Sequence, residues 1–147
     1  MHACLTTEEM LLTLGTHLKA AISSRNAKLV RMVSLEGLDL GLHIRGETAL
    51  YMAVRMDQVE MVEVLLEEMK IQKTLRRSIN SYSVDIAGRK ETAFICAVRA
   101  GLYSCVIVLA ESLADMEMRD GEGHTALWHA VREQRVEMVE QLVKRGA

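Results

Sequence analysis

The sequence has few aromatic residues, few cysteines and no long apolar segment, and each shortage excludes a class of protein. One tryptophan, three tyrosines and one phenylalanine leave the interior to small aliphatic side chains, although half of the residues are apolar. No apolar run approaches the roughly 18 residues that a membrane-spanning helix needs. Acidic residues occur near the N-terminus, where a secretory signal peptide has basic ones. The 147 residues therefore indicate one domain or one short array, away from membranes.

Neither the charge nor the cysteines suggest an unusual environment. A formal net charge of −2 argues against general attraction to nucleic acid or to a membrane surface. The three cysteines, Cys4, Cys96 and Cys105, cannot all pair with one another, so we interpret them as reduced thiols. These features predict an intracellular, cytoplasmic protein, with the nucleus left open.

The last 28 residues of the chain, 120–147, contain a unit of two short helices. Their sequence is DGEGHTALWHAVREQRVEMVEQLVKRGA, in which one amphipathic segment opens at Thr125 and a second runs from Val136 to Val143. Each helix is only two or three turns long, so neither can bury its apolar face alone. Such a unit needs a copy of itself alongside.

Copies of this unit occur earlier in the chain. Thr92 precedes Thr125 by 33 residues and opens the same pattern, and Thr48 opens another. Residues 59–66, VEMVEVLL, nearly repeat residues 136–143, VEMVEQLV, and both begin 11 residues after their threonine. A weaker copy starts at Thr16. The chain is therefore predicted to be an array of about four repeats.

The pattern resembles the ankyrin repeat family. Three copies in register carry D-x-x-G-x-T-A-L-x-x-A-V followed by V-x-x-L-V-x-x-G-A, in whole or in part, and the resemblance covers about residues 12–147. A tetratricopeptide array, the nearest rival, lacks the T-A-L opening and the glycine-containing hairpin. The resemblance implies an all-α solenoid of stacked helix-turn-helix repeats joined by short β-hairpins.

This resemblance divides the single domain, 1–147, into approximate repeats. We predict an N-terminal capping repeat at 6–41, a second repeat at 42–83, a third at 84–119 and a fourth, possibly truncated, at 120–147. The spacing from Thr48 to Thr92 is 44 residues, which is 11 more than the period and places an insertion in the second repeat.

Several local features follow from the same alignment of repeats. Residues 1–5 are expected to be a frayed terminus, and a capping box at Thr6 predicts a helix from about Thr7 to Ile22. The outer helix of the second repeat is expected to continue to about Arg77, followed by an ordered loop. Lys90 occupies the glycine position of the third hairpin, so its turn is expected to be distorted or to shift to Gly88.

Two further positions are expected to strain the backbone. Asp57 and Gln134 stand where the family usually has glycine between the helices. If their conformations are left-handed, each costs roughly 1 kcal/mol.

The sequence offers no recognisable catalytic or cofactor site. The five histidines show no metal-ligand spacing, and no phosphate loop, nucleophile motif or paired-cysteine zinc motif is present. Cys96 and His129 share an offset in neighbouring repeats and could be neighbours, but packing is the favoured interpretation of both. Cys105 is interpreted as a buried small hydrophobe. We expect no enzyme activity, no cofactor and no metal.

The resemblance implies a concave face built from hairpin tips and the exposed side of the inner helices. Counted from each threonine, this face places arginine at offset +7 in three repeats, at Arg55, Arg99 and Arg132. The other residues predicted to contact a partner are Glu47, Glu91 and His124 at −1, Ile44 at −4, Arg45, Arg89 and Glu122 at −3, and Met56 and Glu133 at +8.

Two interpretations of this face stay open. The arginine column can grip carboxylates or a phosphate by bidentate hydrogen bonds. Alternatively, Glu47, Glu91 and Glu133 neutralise the arginines and the face is simply solvated. Ile44, Met52 and Met56 are expected to form an apolar patch.

Two other groups of residues invite a similar choice. Bulky Tyr51, Ile95 and Trp128 at offset +3 are expected to pack under the hairpins. The basic run from Lys70 to Arg77 is either a solvated helix face, which is more common, or a dock for an acidic partner.

The predicted function is a non-catalytic protein-interaction scaffold that binds a protein partner, acidic or phosphorylated, in the concave groove. The alternative is a regulatory or targeting segment of a larger multidomain protein such as a kinase. Because the pattern stops at Gly146-Ala147 without a polar closing helix, self-association through the C-terminal face is also expected.

Overall fold

Three threonines at equivalent places begin the inner helices of the array. In the computed structural model, which describes residues 6–147 apart from the side chain of Thr7, the hydroxyls of Thr48, Thr92 and Thr125 each accept a hydrogen bond from the backbone N–H three residues later. This is the N-cap interaction that satisfies a free donor of the first helical turn. The expected equivalence of the three threonines is confirmed, and the prediction for residues 1–5 lies outside the described residues.

Among the described residues, eight helices form four successive pairs and one short helix follows the second pair, with short strands between the first three pairs. In chain order the helices are α1 Thr7–Ser23, α2 Ala27–Leu35, α3 Ala49–Arg55, α4 Val59–Ile71, α5 Leu75–Ser78, α6 Ala93–Ala100, α7 Tyr103–Glu111, α8 Ala126–Arg132 and α9 Val136–Lys144. The strands are β1 His43–Ile44, β2 Glu47–Thr48, β3 Tyr82–Val84 and β4 Lys90–Thr92.

The N-terminal pair is capped as its sequence predicts. The Thr6 hydroxyl accepts from the Glu9 N–H at 3.2 Å, and the Glu9 carboxylate accepts from the Thr6 N–H at 2.7 Å, which is a complete capping box. Asn26 caps α2. The predicted first helix is therefore confirmed.

The pairs stack side by side, and the core runs through the whole stack. Inner helices α1, α3, α6 and α8 contact one another in succession, and α2, α4 and α7 do so in the outer layer. The buried side chains are mostly small aliphatics, as the shortage of aromatics requires, and include Leu18, Val30, Leu50, Val62, Leu65, Val98, Leu109, Ala130 and Leu142. The prediction of an all-α solenoid with short hairpins is confirmed.

Antiparallel hairpins link one repeat to the next. Strand β1 pairs with β2, β3 pairs with β4, and an isolated bridge joins Arg119 and Thr125. Successive hairpins are joined through the backbone, because the Val84 N–H donates to Gly46 at 2.9 Å and the Gly121 N–H donates to Lys90 at 2.8 Å. These bonds hold the hairpin tips in one row.

The turn of the third hairpin lies at Gly88, two residues earlier than the repeat pattern predicts. Gly88 has a φ of +80°, whereas Lys90 lies in strand β4. A side chain rarely adopts such a φ, so the turn moves to the residue that tolerates it. The predicted shift is confirmed.

The insertion in the second repeat corrects one prediction. Helix α4 ends at Ile71 rather than continuing to Arg77, and Lys73 takes a left-handed φ of +60°. The reason is tertiary: the Gln72 side-chain amide donates to the Leu38 carbonyl at 2.7 Å and accepts from the Leu40 N–H at 3.2 Å. The basic residues that follow therefore form the separate helix α5, and Arg77 pairs with Asp39 at 2.8 Å.

Two residues between paired helices have the left-handed backbone conformation that strains a side chain. Asp57 and Gln134 have φ values of +52° and +55°, whereas the equivalent position of the third repeat is Gly101 with a φ of +74°. The left-handed conformation considered for these two positions is confirmed.

Among residues 6–147, none of the helices has the length and apolar character that crossing a bilayer requires.

Candidate partner-binding groove

The three arginines of the predicted column lie at the C-terminal ends of the inner helices. Arg55 and Arg132 are the last residues of α3 and α8, and Arg99 lies in the last turn of α6. A positive charge at this end interacts favourably with the helix dipole. The repeated offset thus has a local reason, but the three guanidinium groups meet different surroundings.

In the second repeat the arginine forms an exposed ion pair. The Arg55 Nε donates to Glu47 at 3.0 Å, and the Arg55 side chain is 46% exposed. Exposed pairs of this kind contribute little, typically below 1 kcal/mol. Arg55 is therefore largely neutralised by its own repeat.

In the third repeat the arginine at this offset, Arg99, belongs to a buried hydrogen-bond network. The Glu91 carboxylate, fully buried, accepts from Arg99 Nη2 at 2.7 Å, from Arg99 Nε at 3.1 Å and from the Tyr51 hydroxyl at 2.8 Å. The hydrogen bond to Glu91 raises the pKa of Arg99, and burial raises that of Tyr51. Glu91 thus ties the second repeat to the third. Its carboxylate is fully buried, so it has no exposed oxygen for the contact role that the sequence suggested.

The thiols match the packing interpretation. Cys96 lies next to this network, and burial raises its pKa to about 12. Cys105 is fully buried, and burial raises its pKa to about 11. Both are free cysteines. Cys4 lies outside the described residues.

The fourth repeat lacks the neutralising carboxylate, because His124 stands where the earlier repeats have glutamate. The His124 ring stacks on Trp128 with centroids 3.5 Å apart, and the guanidinium carbon of Arg132 lies 5.2 Å from the Trp128 ring centroid. Among residues 6–147, Arg132 makes no ion pair, and neighbouring Glu133 is exposed. Arg132 is therefore the member of the column that keeps its charge available.

A cavity of about 690 Å³ lies between the third and fourth repeats. Arg99 and Arg132 both line it, whereas Arg55 lies one repeat away. Its remaining wall is formed by the two hairpin tips and the end of α8: Ala87, Gly88, Arg89, Lys90, Asp120, Gly121, Glu122, His129 and Glu133. Three predicted contact residues besides the two arginines, Arg89, Glu122 and Glu133, therefore line the cavity, and His124 is not part of its lining.

Two basic side chains of this cavity, those of Arg89 and Lys90, are only loosely engaged, whereas Arg99 is held by Glu91. Arg89 lies 3.8 Å from Asp85, and the Lys90 ammonium lies 4.8 Å from the Tyr82 ring centroid. Lys90 is not among the predicted contact residues, because its offset corresponds to the turn glycine of the second and fourth hairpins. Shifting the turn to Gly88 brings its side chain to the groove.

The apolar patch predicted at the second repeat is smaller than expected. Met56 is 36% exposed and Ile44 is half-buried near exposed Arg45, but Met52 is only 3% exposed and belongs to the core. Ile44 also lines a second cavity, of about 530 Å³, together with Leu11 and Leu12 of α1. Sequence reasoning missed this cavity, because the first repeat lacks the hairpin from which the offsets were counted.

The bulky residues at offset +3 also differ in how far they are exposed. Tyr51 and Ile95 are buried, as predicted, but Trp128 is 38% exposed. The first two lie beneath the repeat that follows them. Exposed Trp128 and Val131, with partly buried Leu127, form an apolar depression on the fourth repeat. Self-association through this face stays a prediction.

A cluster that the sequence did not reveal lies at the base of the fourth hairpin. Asp120 Oδ2 lies 2.8 Å from His129 Nε2, and its Oδ1 accepts from the backbone N–H groups of Glu122 and His124. Partial burial raises the pKa of Asp120, but these hydrogen bonds outweigh it and hold the pKa below the ordinary value. A search of the sequence for D-x-x-x-H-x-x-x-x-H would have found the group.

Comparison with known proteins agrees with this architecture. A family model described as ankyrin repeats in three copies matches residues 72–147, and a model of the single ankyrin repeat matches residues 45–72. A comparison with curated proteins found no relative that matches the chain. Ankyrin repeats are generally protein-interaction modules and are typically non-catalytic. With matches over more than half of its length, the chain belongs to the ankyrin repeat family.

Proposed function

We propose that this chain is a non-catalytic binding module that holds an acidic segment of a protein partner in the cavity between the third and fourth repeats. The observation that carries the proposal is the unpaired guanidinium of Arg132 among the described residues, beside Trp128 and at the wall of that cavity. Arginine and tryptophan are enriched at binding hot spots. Arg55 and Arg99, its equivalents, already hold a carboxylate of their own.

The chemistry of the cavity favours carboxylate or phosphate oxygens as the ligand. Arg132 offers a planar fork of N–H donors, which matches the two oxygens of either group. Lys90 and Arg89 stand across the cavity as further positive charges. Glu122 and Glu133 at its rim exclude a uniformly acidic partner and favour a segment in which one or two acidic side chains are spaced to avoid them.

The matched pair Arg132→Ala and Arg55→Ala tests this proposal. Partners are captured from lysate with the wild-type chain, and the affinity of one purified partner is measured for both variants. We expect Arg132→Ala to weaken binding at least about tenfold, as loss of a hot spot does, and Arg55→Ala to weaken it less than about threefold. Folding of both variants is checked by circular dichroism.

Two further measurements identify the recognised group. Arg132→Lys keeps the charge but loses the fork, so it should recover only part of the affinity. Replacing the partner's acidic side chains by Gln and Asn should reproduce the loss seen with Arg132→Ala. Unchanged affinity of a folded Arg132→Ala variant contradicts the proposal, as does an equal loss in Arg55→Ala.

A further inference from the structure

The fourth hairpin brings together three potential metal-ligating side chains that the equivalent offsets of the second and third repeats do not both repeat. Asp120 precedes the hairpin tip, His124 follows it, and His129 lies one turn into α8. One potential ligand atom from each of the three lies within 4.8 Å of the other two. The hairpin and the first turn of α8 produce this arrangement. Side chains of a helix tilt toward its N-terminus, and this tilt brings His129 close to Asp120.

Two of the three groups are held rigidly. The side chains of Asp120 and His129 are only 6% and 9% exposed, and they are 2.8 Å apart. Two backbone N–H groups fix the other carboxylate oxygen of Asp120, at 3.0 Å and 2.9 Å. Hydrogen bonds of this kind orient a carboxylate ligand in metal sites.

The third group has a nitrogen without a protein partner. His124 Nδ1 is buried and makes no hydrogen bond among the described residues. A carboxylate oxygen of Glu122, a side chain that is 81% exposed, lies 3.7 Å from it. A buried polar atom without a partner is costly, and an ion ligated at this point would remove that cost.

We propose that Asp120, His124 and His129 form a binding site for a divalent cation of the zinc type, with Glu122 or a water molecule as the fourth ligand. Two imidazoles and a carboxylate suit Zn²⁺, whereas Mg²⁺ and Ca²⁺ take oxygen ligands. Tetrahedral zinc places its ligand atoms about 3.3 Å apart, so the widest pair must approach by about 1.5 Å from the 4.8 Å limit. The Asp120–His129 pair, 2.8 Å apart, must separate by about 0.5 Å as the ion replaces the proton that the two atoms share, and that proton is released to solvent. Rotation of the His124 side chain, which is at the rim and 28% exposed, accounts for this approach.

A simpler role for these residues makes a different prediction. If the Asp120–His129 hydrogen bond only anchors the hairpin, His124 has no part in it and metal binding is absent. His124→Phe separates the two accounts, because it keeps a ring that can stack on Trp128 and leaves the Asp120–His129 pair intact. His17→Phe removes an exposed histidine of α1 and serves as the matched control for adventitious binding.

The experiment uses the full chain without an affinity tag. Zn²⁺, Mg²⁺ and Ca²⁺ are titrated by calorimetry, and Co²⁺ is titrated by visible absorption, which reports tetrahedral coordination. We expect one Zn²⁺ per chain, no detectable Mg²⁺ or Ca²⁺ binding, and an affinity for Zn²⁺ at least about tenfold weaker in His124→Phe. His17→Phe should bind as the wild type does.

Two results overturn the site. Absence of Zn²⁺ binding by the wild type does so directly. Equal affinity of folded His124→Phe and wild type does so as well, because it assigns the binding to other residues. Neither result bears on acidic-partner binding, which is tested with Arg132 in metal-free buffer.

Discussion

Removing Glu91 should destabilise this protein far more than removing its counterpart one repeat earlier. In Glu91→Ala the Tyr51 hydroxyl loses its acceptor in a fully buried site, and Arg99, only 26% exposed, loses both hydrogen bonds to the carboxylate. Removing one partner of a buried pair costs about 3–5 kcal/mol, because the remaining charge stays uncompensated. An unsatisfied buried hydroxyl costs about 1–3 kcal/mol. Partial solvation of Arg99 moderates the total, so we expect a loss of about 3–5 kcal/mol.

Glu47→Ala is the matched control, since Glu47 and Arg55 have the same offsets and make the same kind of pair at 3.0 Å. The Arg55 side chain is 46% exposed, so water replaces its partner and the loss should not exceed about 1 kcal/mol. The free energy of unfolding is measured by urea denaturation, followed by circular dichroism. Comparable losses in the two variants would refute the reasoning that burial decides the energy of this pair.

A milder change keeps the test interpretable if Glu91→Ala does not fold, since domains of this size are stable by only about 5–15 kcal/mol. Glu91→Gln retains the volume and one acceptor oxygen, so its loss should lie between those of Glu47→Ala and Glu91→Ala. Tyr51→Phe should cost about 1.5–3 kcal/mol, the value of a hydrogen bond to a charged group.

The remaining predictions concern backbone strain and the thiols. Gln134→Gly should raise the free energy of unfolding by about 0.5–1 kcal/mol in urea denaturation, because its φ of +55° suits glycine. Asp57→Gly should gain less, since aspartate tolerates this region better. Cys96 and Cys105 should resist iodoacetamide at about pH 8 in the folded protein and react in urea, because burial raises their pKa values to about 12 and about 11. Both values exceed the unfolded value of 9.0, so the stability that these thiols contribute is complete below pH 9.0 and is lost as the pH rises toward 11–12. Cys96→Ser should lessen that alkaline decline; rapid alkylation of the folded chain would contradict the burial.

Local signals were enough to predict most of the helices. The hydroxyl of each repeat threonine and the Thr6–Glu9 capping box act within one turn, so their effects can be read from neighbouring residues. The end of α4 could not be read in this way. It depends on Gln72 reaching residues more than 30 positions away in the first repeat, and helix propensity alone favours continuation to Arg77.

The candidate site shows the same division. Counting offsets located the arginine column and identified Glu47 and Glu91 as residues that could neutralise it, and the structure assigns each to the arginine of its own repeat. It could not rank the arginines, because one offset gives three different surroundings. A fully buried carboxylate, a partly buried one and a tryptophan ring decide which guanidinium is available, and their burial depends on how each repeat packs against its neighbours.

What the sequence determined by itself is the repeat: its period, its caps and the apolar faces that require a neighbour, since all of these arise from interactions within about 33 residues. Tertiary structure alone decided which of the repeated polar residues are buried. Stacking removes water from some positions and leaves others exposed, and the energy of a charge pair depends on that difference more than on the identity of its residues. For the same reason Glu91 became part of the interior, and Arg132 kept an exposed side chain without an ion pair among the described residues.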